Sequence, residues 1–123
     1  MILVDTSVWV DHFRRGDPIL TQRLADGDVL VHPWVVGELA LGAWRERALI
    51  LAQLAALPRA VQAKDEEIVL FIARHALFGV GIGYVDAGLL ASTILTAGSR
   101  IWTRDKRLSA AAAQLGVAAD LTH

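Results

Sequence analysis

Met1-Ile2-Leu3-Val4-Asp5-Thr6-Ser7 opens the chain, three apolar residues rich in β-formers running straight into an acid and two hydroxyls. So short a run, with helical spacing directly after it, predicts a fully buried strand. Thr6 or Ser7 can cap the helix that follows. Asp5 then stands at the carboxyl end of a central strand, where open α/β sheets place their ligands. A carboxylate there is costly to desolvate unless something positive compensates it.

Outward from that strand, residues 8–13 read as a short helix stopping near Gly16. Asp17-Pro18 supplies an N-cap and a first helical proline for a second helix, which runs to Gly27. Val29-Leu30-Val31 is a second short strand. His32-Pro33 begins a third helix with Val35, Val36, Leu39, Ala40, Ala43 and Trp44 on its inner face. Gly37 and Gly42 fall in its interior, where each costs roughly 1 kcal/mol relative to alanine; that points to a close approach by a backbone, a ligand or a neighbouring helix. A fourth helix, from about residue 45 to 57, is broken by Pro58. Residues 60–63 form a brief third strand. An amphipathic helix follows over 65–77, apolar at Ile68, Leu70, Phe71, Ile72 and Leu77 and acidic in its first turn, as the helix dipole favours. The glycine-rich loop 79–83 lacks the dinucleotide-binding spacing and follows a helix instead of a strand, so it reads as a flexible turn. A helix over 85–97 and a buried strand over 100–103 come next. Asp105 opens a last helix through Leu115, and residues 117–119 close the sheet as an edge strand. Strands alternating with helices predict a parallel sheet in a three-layer α/β/α sandwich, one domain over residues 1–123.

Composition agrees with a well-packed globular domain: of 123 residues, 54% are hydrophobic and 20% charged. The net charge of −1 offers no bulk attraction to nucleic acid or membrane, so any such binding needs a local patch. The absence of cysteine excludes disulfides and thiolate metal sites and is compatible with the cytoplasm, where the protein is expected. Asp5 and Asp11 interrupt the first apolar run, and the longest apolar stretch, 48–57, is far short of the ~20 residues that span a bilayer. Neither a signal peptide nor a membrane segment is expected.

Four acids carry the chemistry. Asp105 follows the strand 100–103; if that strand neighbours the first, Asp5 and Asp105 face each other across one crevice. Asp86 lies in the first turn of its helix beside the glycine loop, and Glu38 on the flank of the third helix. Each also has a plain structural reading: Asp105 and Asp86 as helix caps or dipole partners, Glu38 as a solvated flank residue. If the four converge, two like charges ~4 Å apart repel by about 4 kcal/mol at an effective dielectric near 20. Without a cation some would take up protons instead. Oxygen ligands with no cysteine or paired histidine select Mg²⁺ or Mn²⁺ over Zn²⁺. Such a centre activates water against a phosphodiester, with Thr6, Ser7 and Thr103 as hydroxyls holding the carboxylates.

The ordered set Val4-Asp5-Thr6-Ser7, Gly37-Glu38-Leu39, Tyr84-Val85-Asp86-Ala87 and 102–108 (Trp-Thr-Arg-Asp-Lys-Arg-Leu) resembles PIN-domain ribonucleases, and within them the VapC toxins of bacterial toxin–antitoxin pairs. The resemblance runs nearly end to end. It implies a parallel sheet of four or five strands in the order 3-2-1-4-5. It further implies that Asp5, Glu38, Asp86 and Asp105 are metal-binding catalytic acids, with Thr103 as a supporting hydroxyl. RNA cleavage with Mg²⁺ or Mn²⁺, a homodimer, and a cognate VapB-like antitoxin that silences the enzyme complete the expectation, the protein being the toxin of a type II system. Gly88 departs from the pattern, since many relatives carry a larger polar residue there; it weakens its helix and bears on substrate contacts.

Arg104 and Lys106 beside Asp105, and Arg14 and Arg15 one helix beyond Asp5, are candidate RNA phosphate contacts. Trp9, Trp34, Trp44 and Trp102 can stack on bases or fill the core. His12, His32, His75 and His123 show no ligand spacing and read as surface or satisfied histidines. The aliphatic helix pair within 17–57 exceeds what one thin core layer needs and is expected to form part of a dimer or antitoxin surface. Two other classes compete. A degenerate member would bind RNA or a partner without cutting, although all four acids are present. A receiver-type signalling domain would need an adjacent acid pair after the first strand, which is not there.

Overall fold

A computed structural model describes residues 1–121; His123 lies outside them. β1 (Ile2–Val4) is the middle strand of a three-stranded parallel sheet in the order β2-β1-β3, with β2 at Val29–Leu30 and β3 at Arg100–Trp102. The helices are α1 (Thr6–Arg15), α2 (Pro18–Ala25), α3 (Pro33–Ala40), α4 (Arg47–Ala55), α5 (Asp65–Arg74), α6 (Tyr84–Leu95) and α7 (Lys106–Gln114). All three residues of β1 are buried, as a central strand covered on both faces requires. Burying side chains such as Leu3 and Val4 contributes about 1.5–3 kcal/mol each. No helix of the described residues is long and apolar enough to cross a membrane.

Among the described residues the sheet has three strands, fewer than the four or five expected. Arg59 and Ala118 each make a single parallel bridge, to Val31 beside β2 and to Ile101 in β3. Both sit where a 3-2-1-4-5 order puts its edge strands, so the order holds with the edges reduced to bridges. On the first edge the cause is visible. Pro58 has no N–H to offer. The N–H groups of Val61 and Ala63 donate to Thr96 Oγ1 and Ser92 Oγ of the α6 region instead of a ladder, at 2.8 and 3.0 Å.

α3 is also shorter than its hydrophobic pattern suggests. Its last carbonyls are taken by side chains from beyond the helix: Trp44 Nε1 donates to Leu39 O at 2.7 Å, and Arg47 Nε and Nη2 donate to Ala40 O. Satisfied this way, the helix stops. Gly42 and Trp44 therefore lie in the connection to α4 and not within α3, and the indole crosses Gly42 so closely that a Cβ there would overlap it. Gly37 faces open space. In α5, Leu70 is exposed and Ile68 alone is fully buried. α1 packs on α3, α3 on α4, α5 on α6, and α6 on β3. Between α1 and α4 lies a groove of about 330 Å³ lined by Trp9, His12, Phe13, Ile50, Leu54 and Leu57 among others.

Candidate active site

β1 and β3 run in register, Val4 beside Trp102, and the N–H of Asp5 donates to Trp102 O at 2.9 Å. The next residues, Asp5 and Thr103, therefore leave the sheet side by side at its carboxyl edge. Because β2 lies on the other side of β1, this is where the strand order switches direction, the place where an open parallel sheet leaves a crevice.

Asp5 is 7% exposed and held by hydroxyls. Ser7 Oγ and Thr103 Oγ1 each donate to its Oδ2 at 2.8 Å. A hydroxyl has one proton, so each is left as an acceptor. Ser7 Oγ receives the N–H of Arg104 at 3.0 Å, and Thr103 Oγ1 receives that of Asp105 at 3.0 Å. Among the described residues nothing hydrogen-bonds Asp5 Oδ1. Asp105 caps α7, its Oδ1 accepting the N–H of Leu108 at 2.9 Å. The cap reading of Asp105 is thus realised, and it occupies one oxygen only. On the far side Thr6, in the first turn of α1, donates to Glu38 Oε1 on α3 at 3.0 Å.

Asp86, half-buried in the first turn of α6, closes the group. Burial pushes its carboxyl above the usual range, and the charges of Asp5, Asp105 and Glu38 push it further the same way; the backbone hydrogen bond from Gly83 pulls it down. One carboxyl that senses the other three puts acids from four elements in one electrostatic neighbourhood. Among the described residues none of the four is ion-paired, so their repulsion is not relieved by the protein's own cations. Nor, among those residues, does any group of three or more His, Cys, Asp or Glu stand close enough together to hold a metal ion as the side chains lie. The donor set itself, carboxylate oxygens with no sulfur or imidazole, suits a hard divalent cation.

Two of the four basic residues expected at RNA phosphates, Arg15 and Arg104, make ion pairs within the protein. Arg104 ion-pairs with Asp11 and Asp17, and Arg15 with Asp11. Asp11 and Asp17 were missed as partners; the signal available was their spacing along one corner of the chain, with no hint of what would cross it. Arg14 and Lys106 are exposed. Trp9 and Trp102 are core residues, Trp44 packs on Phe13, and Trp34 lies against Gly88 and the His32 ring. Gly88 is buried under that indole, and its smallness leaves room for Trp34. His32 is buried and satisfied, bonded to the N–H of Trp34 and to Ser92 Oγ at 3.1 Å each.

Comparison with known proteins identifies the family. The PIN domain family matches residues 2–114. Ribonuclease VapC32 of Mycobacterium tuberculosis, from strains CDC 1551 / Oshkosh and ATCC 25618 / H37Rv, is 48% identical over 118 residues, covering 96% of this chain and 95% of that protein. The crystal structure of PAE2754 from Pyrobaculum aerophilum covers 89% of this chain and 78% of its own with a TM-score of 0.57. At 13% identity it supports the fold alone.

Proposed function

The chain belongs to the PIN domain family as a VapC-type ribonuclease, and on that premise we propose that Asp5, Glu38, Asp86 and Asp105 are its catalytic acids. Its role is that of the toxin in a toxin–antitoxin pair, acting on RNA and held in check by a cognate antitoxin. The acids bind one or more divalent cations, Mg²⁺ or Mn²⁺. Bound there, such an ion supplies Lewis acidity: it activates water and stabilises the charge that builds on the phosphodiester.

The chain's own residues do the rest. Ser7 and Thr103 fix the rotamer of Asp5 by saturating Oδ2, which leaves Oδ1 for the crevice. Thr6 steadies Glu38. Asp105 spends one oxygen on its cap and presents the other. Hydroxyls that orient ligating carboxylates in this way raise the precision of a site without adding charge. The observation that supports the reading most is the state of Asp86, lifted by burial and by three carboxylates that have no ion-pair partner among the described residues.

A homodimer and a VapB-like antitoxin seated in part on the α1–α4 groove belong to the same proposal. The test is incubation of purified, antitoxin-free protein with total cellular RNA, with and without Mg²⁺ or Mn²⁺, mapping new ends. Metal-dependent cleavage that vanishes in Asp5→Asn while the fold survives supports the assignment. A folded wild type that binds no Mn²⁺ at millimolar concentration overturns it. Light scattering decides the dimer.

A further inference from the structure

Residues 103–105 leave β3 carrying two groups of the site, and Arg104 stands between them. Its guanidinium makes its ion pairs away from the crevice: Nε lies 2.7 Å from Asp11 Oδ2 and Nη2 lies 2.5 Å from Asp17 Oδ2, with the group 5.7 Å from the centre of the Trp102 ring. The receiving end is rigid. The Asp17 side chain is 5% exposed, and its Oδ1 accepts the N–H groups of Ile19 and Leu20 at the start of α2. The backbone N–H of Asp17 donates to His12 Nδ1 at 3.0 Å. A planar guanidinium can span two carboxylates at fixed angles, which a point-charge ammonium cannot. At the other end, the N–H of Arg104 holds Ser7 Oγ and that of Asp105 holds Thr103 Oγ1, and both hydroxyls carry Asp5 Oδ2.

We infer that Arg104 is a positioning residue, a strap that ties residues 103–105 to the corner between α1 and α2 and so keeps Thr103 and Asp105 in register with Asp5. It is not a phosphate contact: its Nε and Nη2 are engaged by Asp11 and Asp17, and two carboxylates beside it would repel an RNA backbone. This inference rests on the nuclease reading of the crevice. It accounts for an arginine in an acidic neighbourhood that, among the described residues, leaves Asp5, Glu38, Asp86 and Asp105 without an ion pair.

The test compares R104Q, R104K, D17N and the double variant R104Q/D17N on a defined RNA oligonucleotide with Mn²⁺, well below each variant's melting temperature. Asparagine still caps α2, so D17N retains that helix, and D11N removes the other leg of the strap if R104Q folds poorly. A misplaced site residue costs on the order of 10²-fold, so kcat falls by at least about tenfold in R104Q with KM and its salt dependence unchanged. D17N matches that fall within about threefold, although Asp17 has the wrong charge to bind RNA, and the double variant is no worse than either single one, as members of one unit behave. R104K stays impaired, because charge without the fork does not rebuild the strap. The opposite pattern overturns the inference: KM raised at constant kcat, a salt slope lowered by about one unit, and recovery in R104K are the marks of a phosphate contact. Amide hydrogen exchange of Arg104 and Asp105 gives a readout that needs no activity. Faster exchange in R104Q supports the strap, and unchanged protection removes it. Should wild type fail to cut RNA, the nuclease reading falls and the exchange measurement still decides Arg104.

Discussion

Thr103 donates its hydroxyl hydrogen to Asp5 Oδ2 at 2.8 Å across 98 residues of chain. The bond exists because β1 and β3 are parallel neighbours in register, so the residue after each strand meets the other. Thr103→Val keeps the shape of the side chain but removes the donor to Asp5 and the acceptor for the Asp105 N–H. Losing such a supporting group costs about 10–100-fold in activity or metal affinity, and the lost hydrogen bonds cost about 0.5–1.5 kcal/mol of stability, since water reaches the exposed Asp105 N–H. Oligonucleotide cleavage, Mn²⁺ titration and urea unfolding measure the three effects; Thr103→Ser restores most of each.

Asp86 gives a prediction with a definite sign. Its folded-state pKa is raised, so the folded protein holds that proton more tightly than the unfolded chain does. Ionising Asp86 therefore weighs against folding as pH rises above the ordinary carboxyl value of 3.8, and the penalty is complete above the raised value. Asp86→Asn abolishes cleavage and leaves the metal-free protein as stable as wild type or more so near neutral pH, the gap widening from about pH 4 upward before it levels. Adding Mn²⁺ raises the wild-type melting temperature and leaves the variant nearly unmoved. Calorimetric melts at several pH values, with and without metal, check both.

His32 and His12 act in the opposite direction. Burial lowers the pKa of both. His32 Nδ1 accepts the N–H of Trp34, which assigns the remaining proton to Nε2, facing Ser92 Oγ; His12 Nδ1 accepts the N–H of Asp17. A second proton on either ring breaks its bond to the backbone. The unfolded chain takes up these protons first, so stability falls as pH drops below about 6.5. Urea midpoints between pH 7.5 and 5 follow the loss. His32→Asn, which still caps α3, is less stable at neutral pH and has a shallower slope.

Gly88→Ser tests packing between α3 and α6. A Cβ at this position would overlap the Trp34 ring and press on Ile68 Cδ1 at 3.2 Å. Overpacking of this kind costs about 1–3 kcal/mol. Trp34→Ala opens the space, so the double variant loses less than the two single losses added together. A double-mutant cycle in urea measures that coupling.

Much of the site was legible because it is written in short-range chemistry. An apolar run of three residues ending in an acid marks a buried strand and its carboxyl edge. Asp17-Pro18, His32-Pro33 and Asp105 each announce a helix start, and each does cap one. Legibility failed where a residue's fate hung on a partner elsewhere. Hydrophobic periodicity extended α3 to Trp44, but side-chain bonds from Trp44 and Arg47 end it earlier. The third strand yielded to hydroxyls of α6. Arg104 sits between two site residues, which suggested phosphate, yet its guanidinium turns to Asp11 and Asp17.

The amino-acid sequence by itself determined the alternation of strands and helices and the caps, and it singled out four acids as candidates, since each depends on residues a few positions apart. Tertiary structure alone decided that Asp86 comes near enough to Asp5, Asp105 and Glu38 to feel their charges, and that Arg104 serves aspartates on the opposite flank. The physical reason is range. Propensity and capping act over one helical turn, whereas charge repulsion and ion pairing depend on distances set only when segments nearly 100 residues apart pack together.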